Sequence, residues 1–173
     1  MANYLVTGGA GFIGSHIAAE LASRHEKVRV LDNFETGKKE NLFGLLDKIE
    51  LIEGDIRDYE VCKGATKGID YVLHQAALRS VPKSMLDPAG YNEVNVKGTL
   101  NLLLASCENK VRRFVFASSS SVYGDTKTLP EKETDMPSPI SIYALTKLMG
   151  EYYCKIFANS YGLETVALRY FNV

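Results

Sequence analysis

A cluster of glycines behind a short apolar run is the segment of this sequence with the clearest chemical meaning. Residues 4–6 are apolar, Gly8, Gly11 and Gly14 follow at close spacing, and residues 13–21 then favour a helix. This order predicts a strand, a tight turn and a helix N-terminus, whose free backbone N–H groups and dipole can hold a pyrophosphate. Gly8 and Gly11 would let the backbone approach the phosphates, and Gly14 would let the helix lie close to the strand. Glycines that only form a tight turn are the alternative.

An acidic residue at the end of the next apolar run narrows the choice of cofactor. Residues 28–31 predict a second strand, and Asp32 follows it, eighteen positions after Gly14. A carboxylate there can accept hydrogen bonds from both ribose hydroxyls of an adenosine, and it would repel a 2′-phosphate. The sequence therefore predicts a site for NAD rather than NADP.

Length, charge and cysteine usage argue against several other classes of protein. The chain has 173 residues, a net charge of −1 and a pI near 6.3, so we expect one domain over residues 1–173, without affinity for nucleic acid or an anionic membrane. The three cysteines lie far apart without metal-ligand spacing, which predicts no metal site and a reducing compartment. No apolar run in the sequence approaches the roughly 20 residues of a membrane span. We therefore expect a cytoplasmic protein.

Short apolar runs alternate with segments of helical length along the whole chain. That alternation is typical of an α/β protein with a doubly wound parallel sheet, for which we expect the strand order 3-2-1-4-5-6. Such a sheet binds ligands at the carboxyl ends of its strands. Beyond the first two strands, the predicted strands are residues 49–53, 71–75, 114–117 and 165–170, the predicted helices are residues 38–46, 88–109 and 141–161, and residues 78–87 are predicted to be a polar loop.

Residues that follow the third and fourth strands are candidates for contact with the cofactor. In the turn after the third strand, Asp55 could accept a hydrogen bond from the adenine amine, and a role as a helix N-cap is almost equally favoured. Ala76 and Ala77 come after the fourth strand, where their small side chains leave room for a ligand. His74 lies within the strand pattern, so we expect a packed core histidine rather than a catalytic base.

Hydroxyl, amide and basic side chains complete the set of candidate residues. Serines at 118–121 end the fifth strand, where they could meet a ligand or serve as turn residues. Tyr143 and Lys147 are four residues apart, so a helix would place them on one face, although such a pair is common by accident. The predicted polar loop carries Arg79, which could meet an anionic substrate. For Asn95, in the long helix, we expect a hydrogen-bonding strut rather than a catalytic group.

Together these segments strongly resemble the extended short-chain dehydrogenase/reductase superfamily. Within it, the chain is most similar to the NAD-dependent nucleotide-sugar epimerases, the UDP-glucose and UDP-N-acetylglucosamine 4-epimerases. The resemblance covers the whole chain and implies a Rossmann-type, NAD-binding fold. The segments that are most specific to this family are residues 7–14, 74–77, 95–99, 118–124, 143–147 and 168–172.

The resemblance implies roles for individual residues. Tyr143 corresponds to the family's acid/base, Lys147 to the lysine that binds the nicotinamide ribose, and Ser119 to the catalytic serine or threonine. Lys147 and the cationic nicotinamide would both lower the pKa of the Tyr143 phenol. The expected NAD contacts are Gly8, Gly11, Phe12, Ile13, Gly14, Asp32, Asn33, Asp55, Ile56, Gln75, Ala76, Ala77, Asn95, Tyr143, Lys147 and Tyr170, and the expected substrate contacts are Arg79, Ser119, Ser120, Tyr143 and Asn172.

The resemblance also separates this chain from a related class of enzyme. Sugar 4,6-dehydratases place an Asp and a Glu just after the catalytic serine or threonine, to eliminate water. Ser120 and Ser121 occupy those positions here and cannot do acid/base work near neutral pH. The implied activity is reversible oxidation and reduction at C4 of a UDP-hexose. The alternatives are a fragment of a nucleotide-sugar uronate epimerase or decarboxylase, and a non-catalytic module that binds a cofactor or dimerises.

Family members of this kind continue past the position of Val173 into a substrate-binding domain. The resemblance thus implies a dinucleotide-binding domain that lacks its C-terminal substrate domain and is weak or inactive as a catalyst by itself. It further implies a homodimer formed by the helices at 88–109 and 141–161. These helices contain more apolar residues than packing against one face of the sheet requires. The additional residues include Leu102, Leu148, Tyr152 and Ile156.

Overall fold

The computed structural model describes residues 1–126 and 129–173, and within them the chain forms one six-stranded parallel sheet. The strands are β1 Asn3–Thr7, β2 Lys27–Asp32, β3 Ile49–Glu53, β4 Tyr71–His74, β5 Arg113–Ser119 and β6 Glu164–Tyr170. They lie in the order β3-β2-β1-β4-β5-β6, which confirms the predicted order. Because β1 and β4 are neighbours, with Thr7 opposite His74, the glycine-rich turn lies beside the residues that follow β4.

Helices connect the strands. They are α1 Phe12–Ser23, α2 Tyr59–Thr66, α3 Val81–Leu86, α4 Pro88–Tyr91, α5 Gly98–Glu108 and α6 Ile142–Tyr161. Short 3₁₀ turns cover Lys39–Leu42 and Ser120–Tyr123, and a π-helical segment covers Asn92–Lys97. Within the described part of the chain, no helix is long and apolar enough to cross a membrane.

Two apolar clusters pack on opposite faces of the sheet. Neighbouring residues of a strand point to opposite faces, and Leu5 of β1 belongs to one cluster whereas Val6 belongs to the other. The cluster around Leu5 contains side chains from α2, α5 and α6, and the cluster around Val6 contains Ala18 and Ala22 of α1. The sheet thus has a layer of several helices on one face and α1 on the other.

The segment between β4 and β5 differs from its prediction in two places. Residues 81–86 form α3 rather than a polar loop, because the Ser80 side chain accepts the Lys83 N–H as an N-cap and Pro82 suits a first helical turn. The predicted helix at 88–109 is α4 and α5 joined by the π-helical segment, so it is not α-helical throughout. A π-helical turn of this kind is often found at a functional site.

Two further expectations need correction. Residues 38–46 form only the 3₁₀ turn Lys39–Leu42, because Phe43 leaves the helical region and Gly44 has a φ of +81°. Leu102 is completely buried in the core of its own chain, so it is not available to a second chain. Tyr152 and Ile156 of α6 are each about half exposed, at 55% and 51%, and they remain candidates for a dimer contact.

Candidate active site

A cavity of about 560 Å³ opens at the carboxyl ends of the strands. It extends from Asp32, Asn33 and Asp55 at one end to Ser119 and Tyr143 at the other. Among the residues that the structure describes, every predicted cofactor or substrate residue lines this cavity except Asn95 and Ser120. Residues spread over the chain from Gly8 to Asn172 are therefore brought to one place, as the strand order requires.

The glycine-rich turn is held by close packing. Gly8 has a φ of +66°, and a side chain there would meet the backbone of Ala76 at 2.7 Å. A side chain at Gly14 would collide with the carbonyl oxygen of Gly8. Glycine is thus required at position 8 by its conformation and by the neighbouring strand end, and at position 14 by the contact between α1 and the turn.

The N-terminus of α1 points its backbone amides toward the cavity. No side chain among the described residues caps this helix at Gly11, and an α-helix leaves its first N–H groups without intrahelical partners. Phe12, Ile13 and Gly14, which carry these groups, all line the cavity. This arrangement suits an anion such as a pyrophosphate.

Asp32 is buried at the wall of the cavity and organises the loops around it. One carboxylate oxygen accepts the backbone N–H of Ala10 at 2.9 Å, and the other accepts that of Phe34 at 2.8 Å. A side chain at Gly37 would meet both oxygens within about 3.0 Å. Each carboxylate oxygen keeps further acceptor capacity, so Asp32 can still accept a ribose hydroxyl.

Asp55 faces the same end of the cavity and does not cap a helix. Its carboxylate accepts hydrogen bonds from Arg57 Nη2 at 2.6 Å and Asn33 Nδ2 at 2.8 Å. The hydrogen bond from Arg57 is the main reason that the pKa of Asp55 falls to about 2. The N-cap of α2 is Asp58, which accepts the N–H groups of Glu60 and Val61, so the N-cap prediction for Asp55 is wrong.

His74 links the glycine-rich turn to the helix layer. Its Nδ1 lies 2.7 Å from Thr7 Oγ1 and its Nε2 lies 2.9 Å from Thr99 Oγ1. Because the Thr99 hydroxyl donates to the Asn95 carbonyl at 2.6 Å, it must accept from Nε2–H, which leaves Nδ1 to accept from Thr7. Burial, together with the charge of Lys147, lowers the pKa of His74 to about 3. The neutral ring is a core histidine, as its sequence position indicates.

Asn95 holds the loop after β4 against α6. Its Oδ1 accepts the Leu78 N–H at 2.8 Å, and its Nδ2 donates to the Leu78 carbonyl at 2.9 Å and to Thr146 Oγ1 at 3.1 Å. Both amide hydrogens are used, and the residue is only 2% exposed. The strut expected for Asn95 agrees with this geometry, whereas the expected cofactor contact has no support from it.

Lys147 lies on α6 one turn after Tyr143, with its ammonium group buried. The Nζ atom donates a hydrogen bond to the Ala117 carbonyl of β5 at 2.8 Å and lies 5.1 Å from the centre of the Phe116 ring. Burial lowers the pKa of Lys147 to about 8, because the charged form loses its hydration. At neutral pH the group is still mostly protonated, so it supplies positive charge at this end of the cavity.

Tyr143 and Ser119 meet across the gap between α6 and β5. Ser119 lowers the pKa of the Tyr143 phenol, and its own hydroxyl donates to Ser121 Oγ at 3.1 Å. The first turn of α6 is fixed by the Ser141 N-cap and by a 3.1 Å hydrogen bond from Tyr143 N to Ser84 Oγ. Burial raises the pKa of the Tyr143 phenol, while the neighbouring Ser119 hydroxyl and the charge of Arg79 oppose that rise.

Lys147 does not act on this phenol as expected. Its Nζ lies 5.9 Å from the centre of the Tyr143 ring and bonds to a carbonyl instead. The predicted lowering of the Tyr143 pKa by Lys147 is therefore not found in this structure, and burial dominates.

Comparison with known proteins identifies the family to which this arrangement belongs. The sequence matches the NAD dependent epimerase/dehydratase family over residues 4–173. This chain is a member of that family. The match includes the glycine-rich turn, Asp32, Ser119, Tyr143 and Lys147, and it covers nearly every residue of the fold described above.

Individual relatives are similar along the whole chain. It is 42% identical over 171 residues to a putative UDP-glucose 4-epimerase of Methanocaldococcus jannaschii, covering 98% of this chain and 55% of that protein. The structure of the UDP-N-acetylglucosamine 4-epimerase from Methanobrevibacter ruminantium in complex with UDP-N-acetylmuramic acid matches with a TM-score of 0.94 at 44% identity, over 99% of this chain and 55% of that one. The Thermus thermophilus UDP-glucose 4-epimerase complex with NAD matches with a TM-score of 0.88 at 43% identity, over 97% and 54%. The chain thus spans about half the length of these relatives.

Several residues that line the cavity of this epimerase/dehydratase family member were not predicted from its sequence. Lys38 and Asn41 enter the wall because the Lys38 N–H and Asn41 Nδ2 both donate to the Ala10 carbonyl, at 3.0 and 2.8 Å. No motif in the sequence indicates these two contacts. Ser118 and Ser121 belong to the serine run already singled out, and both line the cavity, whereas Ser120 begins a 3₁₀ turn outside it. The other missed lining residues are Leu31, Glu35, Thr36, Gly37, Gly54, Leu78, Val81, Val94, Ala117, Phe171 and Val173.

The described residues were also searched for side chains that could bind a metal ion. Over residues 1–126 and 129–173, no group of three or more His, Cys, Asp or Glu side chains could hold a metal ion.

Proposed function

We propose that this chain is the NAD-binding portion of a UDP-sugar 4-epimerase. The observation that carries the proposal is the contact between Tyr143 and Ser119, with Lys147 one helical turn away, in the same cavity as the glycine-rich turn and Asp32. Hydroxyl, phenol and ammonium groups of this kind serve proton transfer at a sugar hydroxyl. The names of the similar proteins agree with this chemistry.

The residues at the other end of the cavity fit NAD. Free amides at the start of α1 suit the pyrophosphate, and the acceptor oxygens of Asp32 suit the adenosine ribose. Bound NAD would supply a hydride acceptor and donor at the end of the cavity that Tyr143 and Ser119 occupy. The acidic side chains Asp32 and Glu35 line the adenosine end, which disfavours a 2′-phosphate there.

Tyr143 is the proposed acid/base. Its phenolate would remove the proton of the sugar C4 hydroxyl and return it after the ring has turned, while Ser119 hydrogen-bonds the same oxygen. Burial raises the pKa of the phenol, so the phenolate needs positive charge close by once substrate excludes water. Lys147, whose Nζ lies 5.9 Å from the centre of the Tyr143 ring, is the proposed source of that positive charge.

The substrate class follows from what the serine run lacks. Ser120 and Ser121 stand where the sugar dehydratases carry acidic residues, so elimination of water is disfavoured and epimerisation is favoured. UDP-glucose and UDP-N-acetylglucosamine are the proposed substrates. A uronate epimerase or decarboxylase is the second enzymatic candidate, and product analysis with a panel of UDP-sugars distinguishes these activities.

The 173-residue chain by itself should turn over UDP-sugars very slowly. It spans about half of its relatives' length, and binding energy that positions a substrate can supply ~7–11 kcal/mol of a reaction barrier. The catalytic side chains are present, so the expected deficit lies in positioning the sugar.

Separate assays of binding and turnover test this proposal. NAD binding is measured by calorimetry on the chain, and epimerisation of UDP-glucose and UDP-N-acetylglucosamine is measured on the chain and on a fusion with the remaining part of the Methanocaldococcus jannaschii relative. We expect NAD binding by both, turnover only by the fusion, and loss of turnover in the fusion with Tyr143→Phe. A fusion that binds NAD without any turnover would instead support a non-catalytic binding module.

A further inference from the structure

The face of α6 that carries Tyr143 and Lys147 continues one turn further, to Glu151. The three residues are spaced four apart, so they lie along one side of the helix. Tyr143 lines the cavity, and Lys147 Nζ donates to the Ala117 carbonyl of β5. Glu151 follows one turn later, and its side chain is only 15% exposed. A carboxylate buried to this degree needs hydrogen-bond partners.

The Glu151 carboxylate binds side chains of two neighbouring strands. Its Oε1 atom accepts the Ser118 hydroxyl of β5 at 2.5 Å and Arg169 Nε of β6 at 2.9 Å. Its Oε2 atom accepts Arg169 Nη2 at 2.8 Å, which makes the ion pair bidentate. Ser118 lies opposite Arg169 in the register of the two strands. One carboxylate therefore joins α6 to β5 and β6 at a single row of the sheet.

This row comes directly before residues of the cavity. Ser119 and Tyr170 are the next residues of β5 and β6, they lie opposite each other, and both line the cavity. Burial raises the pKa of the Tyr143 phenol, and the Ser119 side chain opposes that rise. Because Ser118 and Ser119 share one stretch of backbone, a displacement of Ser118 would move Ser119 relative to Tyr143.

Arg169 contacts the same segment at its other end. Its guanidinium carbon lies 4.6 Å from the centre of the Tyr123 ring, in the 3₁₀ turn that follows β5. This distance is typical of a cation–π contact. Glu151 thus binds Ser118, and its partner Arg169 contacts Tyr123, so the ion pair holds the segment that carries Ser119 on both sides.

Stability alone is a weak reason for this ion pair. Burial removes both charged groups from water, and apolar side chains of similar volume are often equally stabilising or better. Among the residues that the structure describes, the buried Nη1 atom of Arg169 has no hydrogen-bond partner, which adds a further cost. A carboxylate and a guanidinium fix the direction of a contact, which apolar side chains do not. The pair is therefore explained better by the positions that it fixes.

We propose that Glu151 is a positioning residue, which together with Arg169 holds the serine run 118–121 so that Ser119 stays within reach of Tyr143. Glu151 acts through Ser118 and Arg169 rather than on a substrate or cofactor. Its importance for proton transfer rests on the proposed function, whereas its hold on the serine run rests only on contacts within this chain.

Replacement of both charged partners separates position from stability. Glu151→Met with Arg169→Met fills the space of the pair and removes its directed hydrogen bonds. We expect this double variant to unfold at the same urea concentration as the parent chain or a higher one. Hydrogen exchange of the Ser121 and Gly124 amides, which are bonded within the segment, should become about tenfold faster, because local opening is easier there. The amides of β1 should keep their exchange rates.

A second ion pair between the same two strands is the matched control. Arg113 of β5 and Glu164 of β6 lie opposite each other at the ends of the strands remote from the cavity, and their side chains are 50% and 65% exposed. Arg113→Met with Glu164→Met should change neither the exchange of the Ser121 and Gly124 amides nor turnover.

Turnover is measured on the fusion with the remaining part of the Methanocaldococcus jannaschii relative. We expect kcat for UDP-glucose to fall about a hundredfold in the double variant, with KM and NAD affinity within about twofold of the parent. Ser118→Ala leaves the ion pair intact and serves as a second variant in case the double replacement does not fold. It should also lower kcat and speed exchange, whereas Ser118→Thr, which keeps the hydroxyl, should retain both parent values.

Several outcomes would overturn the proposal. Unchanged exchange at Ser121 and Gly124 would show that the pair does not hold the serine run, and full kcat in the double variant would remove its role in proton transfer. A loss of kcat that only accompanies a fall in stability would make the pair a structural strut. A parent fusion without turnover refutes the proposed function instead, and exchange in the isolated chain then still decides whether the pair holds the serine run.

Discussion

The ammonium group of Lys147 donates a 2.8 Å hydrogen bond to the backbone carbonyl of Ala117, which ties α6 to the end of β5 directly beneath the candidate catalytic residues. The contact is buried, with Lys147 only 4% exposed. A charged group held there with one carbonyl partner is costly for stability, and its retention points to a role in function.

Lys147→Met should make the protein more stable at pH 7. The fall of the lysine pKa from 10.5 to about 8 corresponds to about 3 kcal/mol against the charged form, and loss of the bond to Ala117 returns about 1 kcal/mol of that. The pKa is depressed on folding, so the unfolded chain binds more protons between pH 8 and 10.5 and the native lysine costs less as pH rises. We expect a gain of about 2 kcal/mol at pH 7 that vanishes above about pH 10.

Urea unfolding at pH 7 and pH 10 measures this difference. Lys155→Met is the matched control, because Lys155 is exposed on the same helix and its removal should change stability by less than about 0.5 kcal/mol. A Lys147→Met protein that is less stable than the parent at pH 7 would contradict the burial penalty.

His74 should make the fold sensitive to mild acid. Its pKa of about 3 lies below the ordinary 6.5, so the unfolded chain binds more protons as pH falls from 6.5 to 3, and stability is lost in that window. Between pH 7 and pH 5 the loss from this residue alone should be about 2 kcal/mol.

The test for His74 is a comparison of two variants. His74→Gln should reduce the slope of stability against pH between 5 and 7, whereas His25→Gln, at an exposed position, should leave the slope unchanged. A His74 ring that titrates near 6.5 by NMR would rule out the neutral, buried assignment.

The chain should bind NAD more tightly than NADP. Asp32 is held in place by the Ala10 and Phe34 amides, so its charge cannot move away from a 2′-phosphate. We expect at least tenfold discrimination by calorimetry, which is about 1.4 kcal/mol. Asp32→Asn removes the charge and leaves one of the two backbone N–H groups without its acceptor, so the discrimination between NAD and NADP should shrink. Equal or tighter binding of NADP by the parent chain would refute the assignment.

Two copies should associate through α5 and α6. Tyr152 and Ile156 are about half exposed on α6, and Leu104 on α5 is 39% exposed. Burying such side chains in a symmetric helix pair is favourable. Sedimentation equilibrium should show a dimer that Ile156→Lys dissociates and Leu46→Lys does not. A parent chain that stays monomeric at micromolar concentration speaks against this interface.

Short sequence patterns predicted the residues of the candidate site better than they predicted the helices and loops between the strands. The glycine-rich turn, Asp32, the serine run, Tyr143 and Lys147 were recognisable because each lies where a strand ends or a helix begins, and parallel strands bring those ends together. The short helix α3 was missed because six residues carry little periodicity, and its Ser80 cap and Pro82 lie in a polar segment. Asn41 could not be found, because its contact with Ala10 depends on how a loop folds back over about thirty residues.

The amino-acid sequence by itself determined the fold class and the residues at the carboxyl ends of the strands, since these follow from periodicity and from short spacings along the chain. The strand order was expected because doubly wound sheets share it. Only the tertiary structure decided the electrostatics of the site. Burial lowers the pKa of Lys147, lowers that of His74 and raises that of Tyr143, and burial depends on elements that are distant in sequence. The same holds for the open edge of β6, because exposure of Val166 and Leu168 depends on which layers pack over the sheet.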